Sequence, residues 1–162
     1  GTSDVVLDST YKEYMFIFNN IHPETDNAFF TFNLSVDAGS NYNVTKTTTF
    51  FTAYHDEADT ATALAYDGDR DLAQSTDFQN ININTGNAND ECVSGSMTLF
   101  NPSSTTFVKH FISRAASYNG YNYINDYLVA GYGNTTSAVD AVQFKMSSDE
   151  IQAGTITLYG IK

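Results

Sequence analysis

The chain has 162 residues, 19 acidic and 7 basic, and a net charge of −12. That balance excludes a binder of phosphate backbones, which needs clustered Lys and Arg; here Lys12, Lys46, Arg70, Lys109, Arg114, Lys145 and Lys162 are scattered. A single cysteine excludes an internal disulfide framework, and no apolar run reaches the ~18 residues of a membrane-spanning helix.

The length fits one domain with a substantial core. Gly1-Thr-Ser-Asp4 is neither a secretory leader nor an initiator sequence, so a trimmed start or an upstream segment is expected. Residues 4–7 read as a short strand and residues 11–18 as a stronger one. In the second, Tyr14, Phe16 and Phe18 share one face and Met15 and Ile17 the other. Apolar residues on both faces mark a central strand, or one whose outer face meets a partner. Residues 19–27 read as a loop by their Asn, Asp and Pro content.

Residues 29–36 alternate, with Phe30, Phe32, Leu34 and Val36 inward and Thr31, Asn33 and Ser35 outward. Residues 37–41 turn. Residues 42–54 are rich in Thr and aromatics, which favour strands. Residues 56–66 fit a helical spacing of alanines and also an alternation of Thr60, Thr62, Leu64 and Tyr66; the strand is preferred. Residues 67–74 read as a turn closing in one helical turn, residues 78–83 as a short strand and residues 84–91 as a loop.

Residues 92–100 form a strand with Val93, Met97 and Leu99 on one face. Asn101–Ser104 turns, residues 105–113 form a strand, Tyr118–Gly120 turns, and residues 121–130 alternate. Two segments close the chain. In residues 138–146, Val142, Phe144 and Met146 oppose Gln143 and Lys145; in residues 155–161, Ile156 and Leu158 oppose Thr155, Thr157 and Tyr159. Nine or ten short strands at this spacing predict an all-β, single-domain antiparallel β-sandwich over residues 1–162, jelly-roll-like.

Asp67, Asp69 and Asp71 form D-x-D-x-D, a spacing that can place three carboxylates around calcium. Leu72 and Phe78 stand where an EF-hand needs Gly and Glu, and a solvated acidic turn beside Arg70 is the competing reading. Asn87, Asn89, Asp90 and Glu91 form a less specific acidic loop. His55-Asp56-Glu57 holds three ligand-type groups, but no second histidine stands at ligand spacing. His110 falls in a strand and reads as a packed or interface side chain. Cys92 reads as a small core residue rather than a nucleophile. Asn33, Asn43 and Asn134 match the glycosylation pattern, which has meaning only in a secretory host.

The aromatic content is 11 Tyr and 12 Phe without Trp, and Tyr118, Tyr121, Tyr123, Tyr127 and Tyr132 crowd one turn and strand. Tyrosines of this kind serve subunit contacts or stack on sugars, or pack the outer face of a β domain. No nucleophile elbow, phosphate-binding loop or dinucleotide fingerprint is present in the sequence.

The segments 4–14, 20–23, 99–111, 130–136 and 154–162 (the last reading Gly-Thr-Ile-Thr-Leu-Tyr-Gly-Ile-Lys) together resemble uncharacterised structural proteins of tailed bacteriophages, many from marine genomes. The resemblance spans nearly the whole chain and rests on strand and turn segments. It implies a non-enzymatic virion-surface protein without cofactors, whose relatives carry another strand before the position of Gly1. Two roles follow as expectations. One is a capsid decoration or cement protein, a homotrimer seated on the major capsid protein or on other virion proteins. The other is a receptor-binding module of a tail fibre or spike that holds host-surface glycans.

Overall fold

The computed structural model describes residues 7–162, and ten strands lie within them. They are β1 (Glu13–Pro23), β2 (Phe30–Ser35), β3 (Lys46–Asp56), β4 (Thr62–Tyr66), β5 (Gln79–Asn80), β6 (Val93–Phe100), β7 (Lys109–Tyr118), β8 (Tyr123–Gly133), β9 (Ala141–Met146) and β10 (Ile151–Ile161). Every pairing is antiparallel. The large sheet has the order β10-β1-β6-β7-β8-β3-β4 and the small sheet the order β5-β2-β9. The expected β-sandwich therefore forms, with its strands divided seven and three. The two closing strands, β9 and β10, fall in opposite layers.

The period-two pattern decides which side chains meet between the layers. From the large sheet come Phe16, Phe18, Met97, Leu99, Phe111 and Val129; from β2 come Phe30, Phe32 and Leu34, all of them buried. Phe144 of β9 lies 5.1 Å from Phe16 and 5.2 Å from Phe18, edge to face, and 5.8 Å from Phe30. Phe32 meets Phe111 edge to face at 4.9 Å. Each ring buried this way contributes roughly 1.5–3 kcal/mol, and the ring pairs ~0.5–1.5 kcal/mol more. These rings hold the three-stranded layer on the seven-stranded one.

Several sequence expectations are corrected. Of the strand read at residues 4–7, residues 4–6 lie outside the described residues, and Leu7 is buried in the core. The loop expected from residue 19 begins as strand: β1 continues to Pro23 because Asn20, at φ 52°, absorbs an extra residue as a bulge. Val36 was expected inward but lies beyond β2 and is 39% exposed. Thr31, Asn33 and Ser35 point away from Phe30, Phe32 and Leu34 as expected, but that face is buried, and Asn33 Nδ2 donates to the carbonyls of Tyr42 (2.6 Å) and Thr76 (2.9 Å) in covering loops. The strand expected from residue 42 starts at Lys46. No helical turn closes residues 67–74, and the strand at 78–83 shrinks to Gln79–Asn80. β7 starts four residues later than expected and runs to Tyr118.

Candidate functional site

The small sheet covers one face of the large sheet, and the other face points away from the core. On that outer face, register sets Ile17, Ser96, Arg114, Leu128, Phe51 and Tyr66 side by side across six strands. In the next row inward along the strands stand Ala116, Asp126, Ala53 and Leu64. Leu64 is 78% exposed, and Ile112, Ile124, Leu128, Tyr66 and Phe51 are exposed beside it. Phe51 and Tyr66 pack edge to face at 5.1 Å.

A shallow depression of about 390 Å³ is lined by Phe51, Ala53, Leu64, Arg114, Asp126 and Leu128. At its side Arg114 Nε donates to Asp126 Oδ1 (3.0 Å) and Nη2 to Oδ2 (2.6 Å), a forked pair with side chains 72% and 40% exposed. The pair neutralises both charges at the middle of an apolar surface. A contiguous exposed apolar patch with polar members is a mark of an interaction surface.

The sequence-predicted residues distribute differently. Asp67 Oδ1 accepts the Asp69 amide (3.1 Å), and the Asp71 carboxylate accepts the Tyr66 hydroxyl. Among the described residues, no three His, Cys, Asp or Glu side chains gather as a metal would require, so Asp67, Asp69 and Asp71 are not brought around one point. Glu91 Oε2 accepts the Ala88 amide (2.7 Å) and closes the acidic loop on itself.

The five tyrosines separate: Tyr127 and Tyr132 take opposite faces of β8 by parity, Tyr123 shares the parity of Tyr127 but stands at the strand's end, and Tyr118 and Tyr121 lie at the turn before it. Tyr127 is 1% exposed and is a core residue, a correction to its expected surface role. Its hydroxyl donates to the Ile83 carbonyl (3.0 Å), and burial pushes the phenol up to about 12. Tyr132 lies on the outer face near His110, ring centroids 6.2 Å apart. The remaining three collect at one end of the sandwich. Tyr121 is 57% exposed on the β7–β8 turn, Tyr118 donates to Asn122 Oδ1 (2.9 Å), and Tyr123 stacks on Tyr54 at 5.4 Å and 11°.

His55 Nε2 meets Asp59 Oδ1 (3.1 Å) at the surface, while Asp56 Oδ1 accepts the amides of Thr60 and Ala61 (both 2.8 Å). The Thr60 hydroxyl first, and the Ala61 amide next, hold the Asp56 carboxyl below its usual range. That triplet is a turn clasp. Cys92 is half-buried rather than a core residue, and burial pushes its thiol up, opposite to what a nucleophile needs. Of the glycosylation-pattern residues, Asn33 is buried, whereas Asn43 and Asn134 are exposed.

Two buried lysines escaped the sequence reading. Lys46 Nζ donates to Asn33 Oδ1 (2.5 Å) and the Val44 carbonyl (2.8 Å); burial lowers it to about 8, with Asp77 opposing. Lys109 Nζ donates to the carbonyls of Phe107 (2.7 Å) and Thr135 (3.2 Å), and burial lowers it too. The signal was available, since Lys46 shares parity with inward Thr48 and Phe50, and Lys109 with inward Phe111. The outer-face apolar set was legible in the same way, as the second apolar parity of β7 and β8.

No family model matches this chain, and no curated protein or solved structure is significantly similar to it.

Proposed function

We propose that this protein is a non-enzymatic component of a bacteriophage virion surface, a capsid decoration protein that docks through the outer face of its large sheet. The observation that carries the reading is the exposed apolar surface of Leu64, Leu128, Phe51 and Ile112 around the neutralised Arg114–Asp126 pair. Such a surface suits a broad protein contact whose affinity comes from many modest contributions. The virion context comes from the strand and turn segments that resemble phage structural proteins.

A map of the intact particle tests it. Many copies spread over the shell, with the outer sheet face against the major capsid protein, are expected; a few copies confined to the tail would sink the decoration role. In a reconstitution assay, Leu64→Lys with Leu128→Lys abolishes decoration while leaving the domain folded.

A second reading, a glycan-binding module of a tail fibre or spike, draws on the tyrosines at the end of the sandwich. Tyr121 is exposed there, near the stacked Tyr54 and Tyr123 rings. Saturable binding on a glycan array, lost on Tyr121→Ala, would favour it over decoration.

A further inference from the structure

β10 is an edge strand of unusual character. It is eleven residues long, and among the described residues it has a neighbour, β1, on one side only. An edge of that length exposes a row of unpaired amides and carbonyls, and proteins normally blunt such edges with lysine, proline or brevity. The opposite edge, β4, is five residues long. β10 carries no charged residue and no proline. The exposed charges stand just outside it, with Glu150 before the strand and Lys162 after it.

We propose that β10 is a self-association seam, in which two copies pair β10 with β10 antiparallel about a two-fold axis at Ile156. The two seven-stranded sheets then continue as one. In this register Glu150 of each copy stands opposite Lys162 of the other, so the seam is closed at both ends by opposite charges. The same register sets Ala153 opposite Tyr159 and Thr155 opposite Thr157, while Gly154 and Gly160, opposite Leu158 and Gln152, are already packed by β1 backbone and by the Tyr11 ring of their own copy. Gly154, at φ +110°, makes the bend in the strand; a Cβ there would stand 2.5 Å from the Asn20 carbonyl oxygen of β1, so this position is kept small from within its own copy.

A second feature lies along the same edge. A groove of about 950 Å³ opens between β9 and β10, lined by Phe16, Val142, Phe144 and Leu158 and also by the polar Asp140 and Gln152. The second copy's Ile156 and Leu158 extend this apolar wall and shield its rim. The occupant is another copy of this chain because the edge is complementary to itself in charge, with Glu150 and Lys162 at its two ends and no charge between them. A net charge of −12 opposes association, but β10 itself carries none of it, and the Glu150 and Lys162 charges at the ends of the seam cancel. The symmetry is two-fold in place of the three-fold expected for the class, because an antiparallel strand paired with its own copy closes under a two-fold. The seam is separate from the docking surface on the outer face.

Sedimentation equilibrium on the whole chain tests the seam. A dimer is expected, weakened about 10-fold or more by Glu150→Lys or Lys162→Glu alone and restored when both are combined in one chain. Ile156→Lys sets two like charges opposite each other at the axis and yields a monomer. A monomer at all concentrations, or a dimer indifferent to all of these changes, overturns the proposal. The charge-swap arm does not depend on Ile156→Lys folding, since both of its positions lie on the surface.

Discussion

Lys46 Nζ sits 2.5 Å from Asn33 Oδ1 inside the sandwich, where the Val44 carbonyl is its other acceptor. Both residues are fully buried. Neutral acceptors satisfy the hydrogen bonds of an ammonium but do not cancel its charge, so burial holds the group near pKa 8 against an ordinary 10.5.

The consequence is a pH profile. Below pH 8 the lysine is charged in both folded and unfolded chains. Between about 8 and 10.5 the folded chain releases its proton first, the unfolded chain holds more protons, and stability rises, by up to ~3 kcal/mol. Tyr127 acts in the opposite direction. Its phenol, raised to about 12, ionises first in the unfolded chain above pH 10, so its contribution is lost from there upward. Urea midpoints measured from pH 7 to 11 are expected to peak near pH 10. Lys46→Met removes most of the rising limb, and the buried Lys109 accounts for the remainder. A flat profile in the unmodified protein would contradict the burial of Lys46.

Tyr127→Phe keeps the ring and deletes one hydrogen bond, leaving the Ile83 carbonyl without it. A loss of about 1 kcal/mol is expected in denaturant titration, together with a shallower decline above pH 10. Tyr127→Ala, which empties the ring's place in the core, costs ~3–5 kcal/mol. Equal effects of the two changes would mean that the ring does not pack as described.

Gly95 is required by space rather than by backbone angle. A Cβ there would stand 2.3 Å from the Arg114 carbonyl oxygen and 2.6 Å from the Ala115 Cα, both in the backbone of β7. Gly95→Ala must push β6 off β7 and is expected to cost ~1–3 kcal/mol by thermal or urea unfolding. An unchanged midpoint would show that the two strands have room to separate.

Calcium is expected to leave the melting temperature unchanged, with chelator or in excess, because Asp67 and Asp71 serve different local hydrogen bonds. A rise with calcium that disappears in Asp69→Asn would restore the D-x-D-x-D reading.

Leu64→Lys is expected to move stability by no more than about 0.5 kcal/mol, since the side chain is 78% exposed. A large loss by calorimetry would mean that Leu64 packs within the monomer, and the outer face would then lose its claim to be free.

Alternation along the chain determined where strands run and which residues point inward, because a strand's side chains take opposite faces by covalent geometry alone. Phe30 and Phe32 read as inward in this way, while Phe16 with Phe18 and Met97 with Leu99 read as sharing a face, and the structure makes that face the buried one. The same rule, applied to Tyr127 and Lys46, would have put both in the core. Tyr127 shares parity with Val129 and Lys46 with Phe50, and all four are buried. Boundaries were less legible: the bulge at Asn20 carries β1 through a sequence that looks like a loop, and pairing with β9 makes Phe30–Ser35 a strand that ends before Val36.

Only the tertiary structure decided which strands share a sheet. β1 lies between β6 and β10, strands distant from it in sequence, and β9 and β10 part into opposite layers. Those pairings depend on hydrogen bonds between backbone groups that are chemically alike in every strand, so no local pattern specifies the partner. Among the described residues they leave β10 at an edge and the row from Ile17 to Tyr66 on an uncovered face, and from these two surfaces the proposals for association and docking arise.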